Sequence, residues 1–104
     1  IKLIVPTGTA VMNARATSLN VPDVKEFTRD GYHLSLDKGR YLAACTVFEK
    51  IIAPIVGKSV VGNSYRARSK DKKTKMTDHE ATVLQRCAVA AVGKQYKVSK
   101  VSEK

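Results

Sequence analysis

Apolar residues recur at spacings of three and four in two long stretches of the chain, which predicts two amphipathic helices. We expect the first helix to begin near Leu36, with Ser35 as its N-cap, and to end at Pro54 and Gly57. Its predicted buried stripe comprises Leu36, Tyr41, Ala44, Cys45, Phe48, Ile51, Ile52 and Ile55. A stripe of this length needs an apolar surface to cover it.

The second helix has a specific signal at its N-terminus. In TDHE, residues 77–80, the Thr77 hydroxyl can accept a hydrogen bond from the backbone of Glu80, and the Glu80 carboxylate can accept one from the backbone of Thr77. This arrangement is a capping box, and Gly93 is expected to end the helix. Its predicted buried stripe comprises Val83, Leu84, Cys87, Ala88, Ala91 and Val92.

The first six residues, IKLIVP, are mostly apolar without alternation, which is typical of a strand buried on both faces in a parallel sheet. Thr9 is then expected to cap a short helix through AVMNARAT. Only SVVG (59–62) and YKVS (96–99) are further strand candidates, so the strand's neighbours must come from outside this sequence. The pattern therefore predicts an α/β fold with an incomplete sheet.

Length and composition indicate one globular domain. The chain has 104 residues, of which 43% are hydrophobic and 27% charged. No stretch has the roughly 18 apolar residues that a membrane span needs, and the start lacks the features of a secretion signal. Because it begins at Ile1 in an apolar run, we expect it to start inside a larger polypeptide.

The net charge of +10 is concentrated in the second part of the chain. Residues 65–104 hold 11 Lys and Arg against 4 Asp and Glu. The segment RARSKDKKTK (66–75) contains no aromatic residue on which bases could stack, which favours a basic surface loop. A contact with a polyanion is the alternative interpretation. We do not expect nucleic acid as a partner.

The two cysteines, Cys45 and Cys87, fit neither a zinc spacing nor a redox motif. Both fall within apolar helical patterns, so we expect small buried core residues, since free cysteine is among the most buried residue types. A disulfide in an oxidising compartment remains an alternative at this stage. The sequence predicts no metal site and no cofactor.

An acidic residue and a histidine lie three positions apart before the first long helix. Asp30 and His33 can reach one side of a single turn, and Gly31 relieves the backbone between them. A carboxylate in that position can fix the imidazole tautomer, and the dipole of the following helix would disfavour the charged imidazolium. The alternative is an ordinary loop in which Asp30 caps a turn.

Several blocks resemble the C-terminal part of SGNH/GDSL-type hydrolases, and more narrowly a bacterial family of uncharacterised SGNH-like proteins. They are PTGTAVMNAR, TRDGYHLSLDKGRYLAACTVFEKI, VVGNSYRARSK and MTDHEATVLQRCAVAAV. The resemblance implies that residues 1–104 are the C-terminal portion of one flavodoxin-like three-layer α/β/α domain. It also implies that Asp30 and His33 are the aspartate and histidine of a Ser-His-Asp triad.

The chain departs from that family in one large respect: it lacks the Gly-Asp-Ser-like nucleophile block and the oxyanion-hole blocks. We therefore expect it to be inactive alone and to require the missing N-terminal part of the domain or a second copy as a partner. The resemblance implies a small-molecule or carbohydrate ester as substrate. The alternative is a noncatalytic binding module for a polyanion or carbohydrate.

Three further residues are candidates for substrate binding. Asn13 and Arg15 follow the predicted strand, at the edge where α/β sheets bind ligands, and Arg29 adjoins Asp30. For each, a surface or loop-tying role is the alternative. His79, in the first turn of the last helix, is expected to face solvent. Many SGNH relatives look exported, but the sequence leaves the compartment open.

Overall fold

The computed structural model describes residues 3–20, 27, 34, 35, 37–68 and 75–104. The described residues contain four α-helices, and a π-helical turn, Phe48–Ile52, joins the second to the third. The helices are α1 (Thr7–Arg15), α2 (Lys38–Val47), α3 (Ala53–Val56) and α4 (Asp78–Gly93). Helix α4 packs against both α1 and α2, which also contact each other.

Helix α4 lies at the centre of the hydrophobic core. Five of its six predicted stripe residues are fully buried, while Val92 is partly exposed. They pack with Ala10 and Ala14 of α1 and with Leu42 of α2. Because most of these side chains are small, the helices can approach one another closely. The predicted stripe of the last helix is thus largely confirmed.

The predicted capping box of α4 is confirmed. The Glu80 N–H donates to the Thr77 hydroxyl oxygen at 3.0 Å, and the Thr77 N–H donates to Glu80 Oε1 at 2.8 Å. Burial acts to raise the pKa of Glu80, but the Thr77 backbone hydrogen bond and the nearby Lys38 ammonium outweigh it and lower that pKa. The Lys38–Glu80 ion pair, at 3.4 Å, also links α2 to α4. Gly93 ends the helix as predicted.

The predicted long helix is present as α2, the π turn and α3. Its N-cap is Asp37, whose carboxylate accepts from the Lys38 N–H at 2.6 Å, and not Ser35 as predicted. The π turn ends two residues before Pro54, which lacks an N–H for a helix hydrogen bond. Gly57 ends the helix with a φ of +73°, a conformation that glycine adopts without strain.

The predicted burial of this helix is wrong for its second half. Ile51, Ile52 and Ile55 are 38, 40 and 80% exposed, although Tyr41 and Cys45 are buried as expected. Among the described elements, α3 contacts only the π turn. These isoleucines therefore follow a helical apolar pattern, but no described element buries them.

The predicted α/β fold, as the C-terminal portion of a flavodoxin-like α/β/α domain, is wrong: the described residues form a small helical globule without a strand or sheet. Residues 3–6 are not in a strand, and Leu3 is 58% exposed. SVVG and YKVS form no strands either, so the described chain offers the first segment no pairing partner. Arg68 and Lys75 form an isolated antiparallel bridge.

Helix α1 begins three residues earlier than predicted. Its first residue is Thr7 and its N-cap is Pro6, which provides no side-chain cap. Thr9 therefore lies inside the helix, and its hydroxyl donates to the carbonyl oxygen of Gln95. The predicted capping role of Thr9 is wrong because this hydroxyl instead ties α1 to the C-terminal segment.

A buried glutamine on α4 holds the segment between α3 and the isolated bridge. The Gln85 amide nitrogen donates to the Tyr41 hydroxyl at 2.8 Å and to the Asn63 carbonyl at 3.0 Å. Its amide oxygen accepts from the Gly62 N–H at 3.0 Å. The Tyr41 hydroxyl in turn donates to the Tyr65 carbonyl at 3.1 Å, so the network joins α2, α4 and the loop.

Within the described ranges, no helix has the length and apolar character required to cross a membrane. That agrees with the absence of a predicted span.

We expect Thr77→Ala to lower the free energy of unfolding by about 1 kcal/mol, because the Glu80 N–H would lose its cap. Urea denaturation followed by circular dichroism measures the change. Thr82→Ala, in the interior of the same helix, is the matched control and should leave stability equal or slightly higher. Equal stability of the Thr77 variant and the wild type would contradict a stabilising capping box.

We also expect both thiols to be unreactive in the folded protein. Both cysteines are free and buried, and burial raises the pKa of Cys45 to about 11 and that of Cys87 to about 12, from 9.0. At pH 9 the folded thiols thus stay almost entirely protonated, whereas about half of those of the unfolded chain are ionised. Titration with an aromatic disulfide reagent at pH 8 should show slow reaction, and fast reaction of both thiols in denaturant.

Candidate functional site

The predicted pair, Asp30 and His33, lies outside the described residues, as does Arg29. The residues on either side of this block are described. Phe27 is fully buried in the core, and its carbonyl oxygen accepts a hydrogen bond from the Ser35 N–H at 3.0 Å. The chain is therefore fixed to the core both before and after the block, directly ahead of α2.

The first turn of α2 lies very close to the two hydrogen-bonded residues, Phe27 and Ser35. A Cβ atom on Gly39 would lie 2.4 Å from the Phe27 carbonyl oxygen and 2.8 Å from the Ser35 hydroxyl oxygen. That hydroxyl accepts from the Gly39 N–H at 2.7 Å, and the Ser35 carbonyl accepts from the Arg40 N–H at 3.0 Å. Only glycine fits at position 39 without displacing the backbone of Phe27.

Sequence reasoning missed the role of Gly39. A glycine in the first turn of a helix weakens that helix, and such a glycine often has a packing reason. The presence of a helix-weakening glycine in the first turn was the signal in the sequence that could have indicated a packing role for Gly39. The identity of the contacting group, a backbone carbonyl twelve positions earlier, follows only from the three-dimensional structure.

An open groove of about 570 Å³ lies beside the residue that follows His33. Leu34 forms part of its wall, together with α1 and the C-terminal segment. The apolar lining residues are Val11, Met12, Leu34, Tyr96 and Val98. Thr7, Thr9 and Arg15 contribute polar groups. The structure thus brings Arg15, a predicted substrate-binding residue, to the same groove as Leu34.

Asn13, the other described candidate, is fully buried and does not line this groove. Its amide nitrogen donates to the Cys87 carbonyl at 3.2 Å, and its amide oxygen accepts from the Ser99 N–H at 2.6 Å. Both ends of the amide are therefore engaged in joining α1 to α4 and to the C-terminal segment. These contacts correspond to the loop-tying alternative, and a role in substrate binding stays a prediction.

The other titratable candidates form no second site in the described part of the chain. His79 is exposed, as predicted. Arg66 is committed to structure: its Nε is 3.0 Å from Asp78 Oδ1, and its Nη1 donates to the Asn63 and Tyr65 carbonyls. Residues 69–74 of the predicted basic loop lie outside the described ranges. No cluster of three metal-ligating side chains occurs among the residues that are described.

We expect Gly39→Ala to destabilise the protein by about 1–3 kcal/mol and to speed amide exchange at Ser35, because the new methyl group must displace the Phe27 carbonyl. Gly8→Ala is the matched control, since a Cβ there meets no atom within 4 Å. It should stabilise α1 slightly, because alanine is the better helix former. Denaturation and hydrogen exchange measure both effects, and equal behaviour of the two variants would contradict the close approach.

Comparison with known proteins gives a family but no activity. No curated protein matches this sequence. A crystal structure at 1.50 Å resolution, of a DUF4886 family protein from Bacteroides uniformis ATCC 8492, is similar to it with 34% sequence identity and a TM-score of 0.75. The similarity covers 97% of this chain and 34% of that one, so this chain spans about a third of that protein's length. Residues 1–90 match the family described as "Domain of unknown function (DUF4886)", and the chain therefore belongs to the DUF4886 family.

Proposed function

We propose that this chain provides the histidine and aspartate of an SGNH-type serine esterase. The observation that carries the proposal is the Asp-x-x-His block, Asp30 to His33, placed between two residues that are hydrogen-bonded to each other, Phe27 and Ser35. A catalytic pair on a short segment gains from such fixed ends, because acid–base chemistry requires the imidazole to be held in one orientation.

In this proposal His33 acts as the general base. It removes the proton from a serine hydroxyl as the oxygen attacks the ester carbonyl, and it returns that proton to the leaving alcohol. Asp30 orients the imidazole and stabilises the imidazolium. Water then attacks the acyl-enzyme with His33 again as base, which releases the acid and regenerates the serine.

The groove beside Leu34 supports an ester as the substrate. Its walls are mainly apolar, as suits an acyl group, and Arg15 contributes a cation that can bind a polar or anionic substituent. A small-molecule or carbohydrate ester meets this description. Arg29, next to Asp30 in the sequence, is a second candidate for contact with such a substituent.

The nucleophile and the oxyanion donors must come from outside this chain, since its sequence contains no Gly-Asp-Ser-like block. We therefore propose the remaining part of a DUF4886 domain, or a second copy, as the partner that completes the site. By this reasoning the 104-residue chain alone has no esterase activity.

The second candidate function is a noncatalytic binding module for a polyanion or carbohydrate. The observation that favours a polyanion is the net charge of +7 on residues 65–104. Such binding would weaken steeply as the salt concentration rises. Ester hydrolysis does not require a salt dependence of this kind.

The test uses a polypeptide in which this chain is continuous with the rest of its family domain. We expect His33→Ala to lower kcat/KM for a small acyl ester by about 10³-fold or more, because the serine loses its base. His79→Ala removes the other histidine of the chain, which is exposed, and should leave hydrolysis unchanged. The circular dichroism spectrum and unfolding midpoint of the His33 variant should match those of the parent.

Two outcomes would overturn the esterase proposal. Unchanged turnover in the His33 variant would remove the triad assignment, and an intact polypeptide without activity on a panel of acyl esters would favour the binding module instead.

A further inference from the structure

The region from the end of α2 to the turn after α3 carries six exposed aliphatic side chains, which together are here called the π-turn patch. It comprises Val47, Ile51, Ile52, Ile55, Val56 and Val61. Ile55, the most exposed of them, leaves 80% of its surface open to solvent. Contiguous exposed patches of large aliphatic residues are uncommon on monomeric proteins and often mark interaction sites.

The sequence pattern indicates that another protein surface buries this patch. Apolar residues in this stretch recur at spacings of three and four, a pattern typical of a helix face buried in a core. A helix face that remains in solvent carries polar residues instead. Among the described elements, α3 contacts only the π turn. The described chain therefore does not contain the surface that would bury these apolar residues.

The charges around the patch disfavour a second copy of the chain as its cover. Lys50 and Lys58 lie close to the patch residues in the sequence, one in the π turn and one directly after Gly57. The nearby carboxylate of Glu49 is already engaged, because it accepts from the Ser59 hydroxyl at 2.8 Å and the Val60 N–H at 2.9 Å. If two copies met at this patch, the lysines of both chains would come together. Because each chain has a net charge of +10, the two copies would repel each other.

The length of the related protein points to a different occupant. The Bacteroides uniformis DUF4886 protein matches 97% of this chain with only 34% of its own length, so two thirds of that polypeptide has no counterpart here. We infer that the π-turn patch is the surface on which this chain docks against the remaining part of a DUF4886 domain. The docking segment presents an apolar face bordered by carboxylates, which complements the patch and its two lysines.

This inference deepens the proposed function, because it locates the contact with the partner that would complete the site. It concerns binding and not catalysis, however, and therefore holds whether or not the assembled protein hydrolyses esters. Its test accordingly measures association and needs no substrate.

The first experiment mixes the 104-residue chain with the segment of the Bacteroides uniformis protein that lies outside the matched third. Sedimentation velocity measures the Kd for the wild type and for three variants. Ile55→Glu should raise the Kd about 10- to 100-fold, because it removes an aliphatic side chain that docking would bury and adds a charge that the carboxylates of the docking segment repel. Ile55→Lys should raise it less, since those carboxylates attract the ammonium group.

Ser102→Glu is the matched control for the added charge. Ser102 is exposed and belongs neither to the patch nor to the groove beside Leu34. It should leave the Kd unchanged. A Kd equally affected by the Ile55→Glu and Ser102→Glu variants, or affected by neither, would overturn the inference.

A second measurement keeps the inference testable if the separate segment does not stay folded. Ile55→Cys is labelled with a maleimide in the isolated chain, and in a chimera in which this chain replaces the matched third of the Bacteroides protein. Ser102→Cys is the control, because Ser102 is exposed and cysteine is nearly isosteric with serine. We expect labelling at position 55 to be at least about 10-fold slower in the chimera, with little change at position 102.

Other occupants of the patch give different outcomes in this labelling experiment. Slow labelling of Ile55→Cys in the isolated chain at all concentrations would mean that another segment of the same chain covers the patch. Protection that grows with concentration, accompanied by dimers in sedimentation, would identify a second copy. Equal labelling rates in the chain and the chimera would mean that the rest of the domain docks elsewhere. Each of these results would overturn the inference.

Discussion

Backbone groups of irregular segments need hydrogen-bond partners, and here two buried side-chain amides supply several of them. Gln85 of α4 binds the backbone of Gly62 and Asn63, and Asn13 of α1 binds that of Ser99 and Cys87. A helical globule has no sheet to pair such segments. The loop after α3 and the C-terminal segment are therefore held in part by these amides, and an apolar residue in either place would remove these hydrogen bonds.

Several of the features that the sequence predicted correctly are local ones. The capping box at Thr77 and the end at Gly57 each depend on a few consecutive residues, so the chain specifies them wherever it packs. The strand prediction failed because a strand depends on neighbours, and the described chain has none for residues 3–6. The stripe through Ile55 failed for a related reason: periodicity indicates which face is apolar, but burial also requires a second surface.

The candidate site shows the same division. The spacing of Asp30 and His33 is a property of the sequence, and so is the proposal built on it. The constraint at Gly39 arises from a carbonyl twelve residues away, and Asn13, which resembled a ligand-binding residue by its position after an apolar segment, is buried between helices. Both depend on how α1, α2 and α4 are arranged, and a pattern along one chain does not encode that arrangement directly.

The π turn has a geometric consequence for the surface that follows it. A turn with i→i+5 hydrogen bonds contains one residue more than an α-helical turn, and one residue corresponds to about 100° of rotation around the helix axis. Phe48–Ile52 therefore sets the angular phase of α3 relative to α2. An insertion of this kind, tolerated before Pro54, can turn side chains that would continue the core of α2 toward a different neighbour. One extra residue then gives a single helix two separately oriented faces.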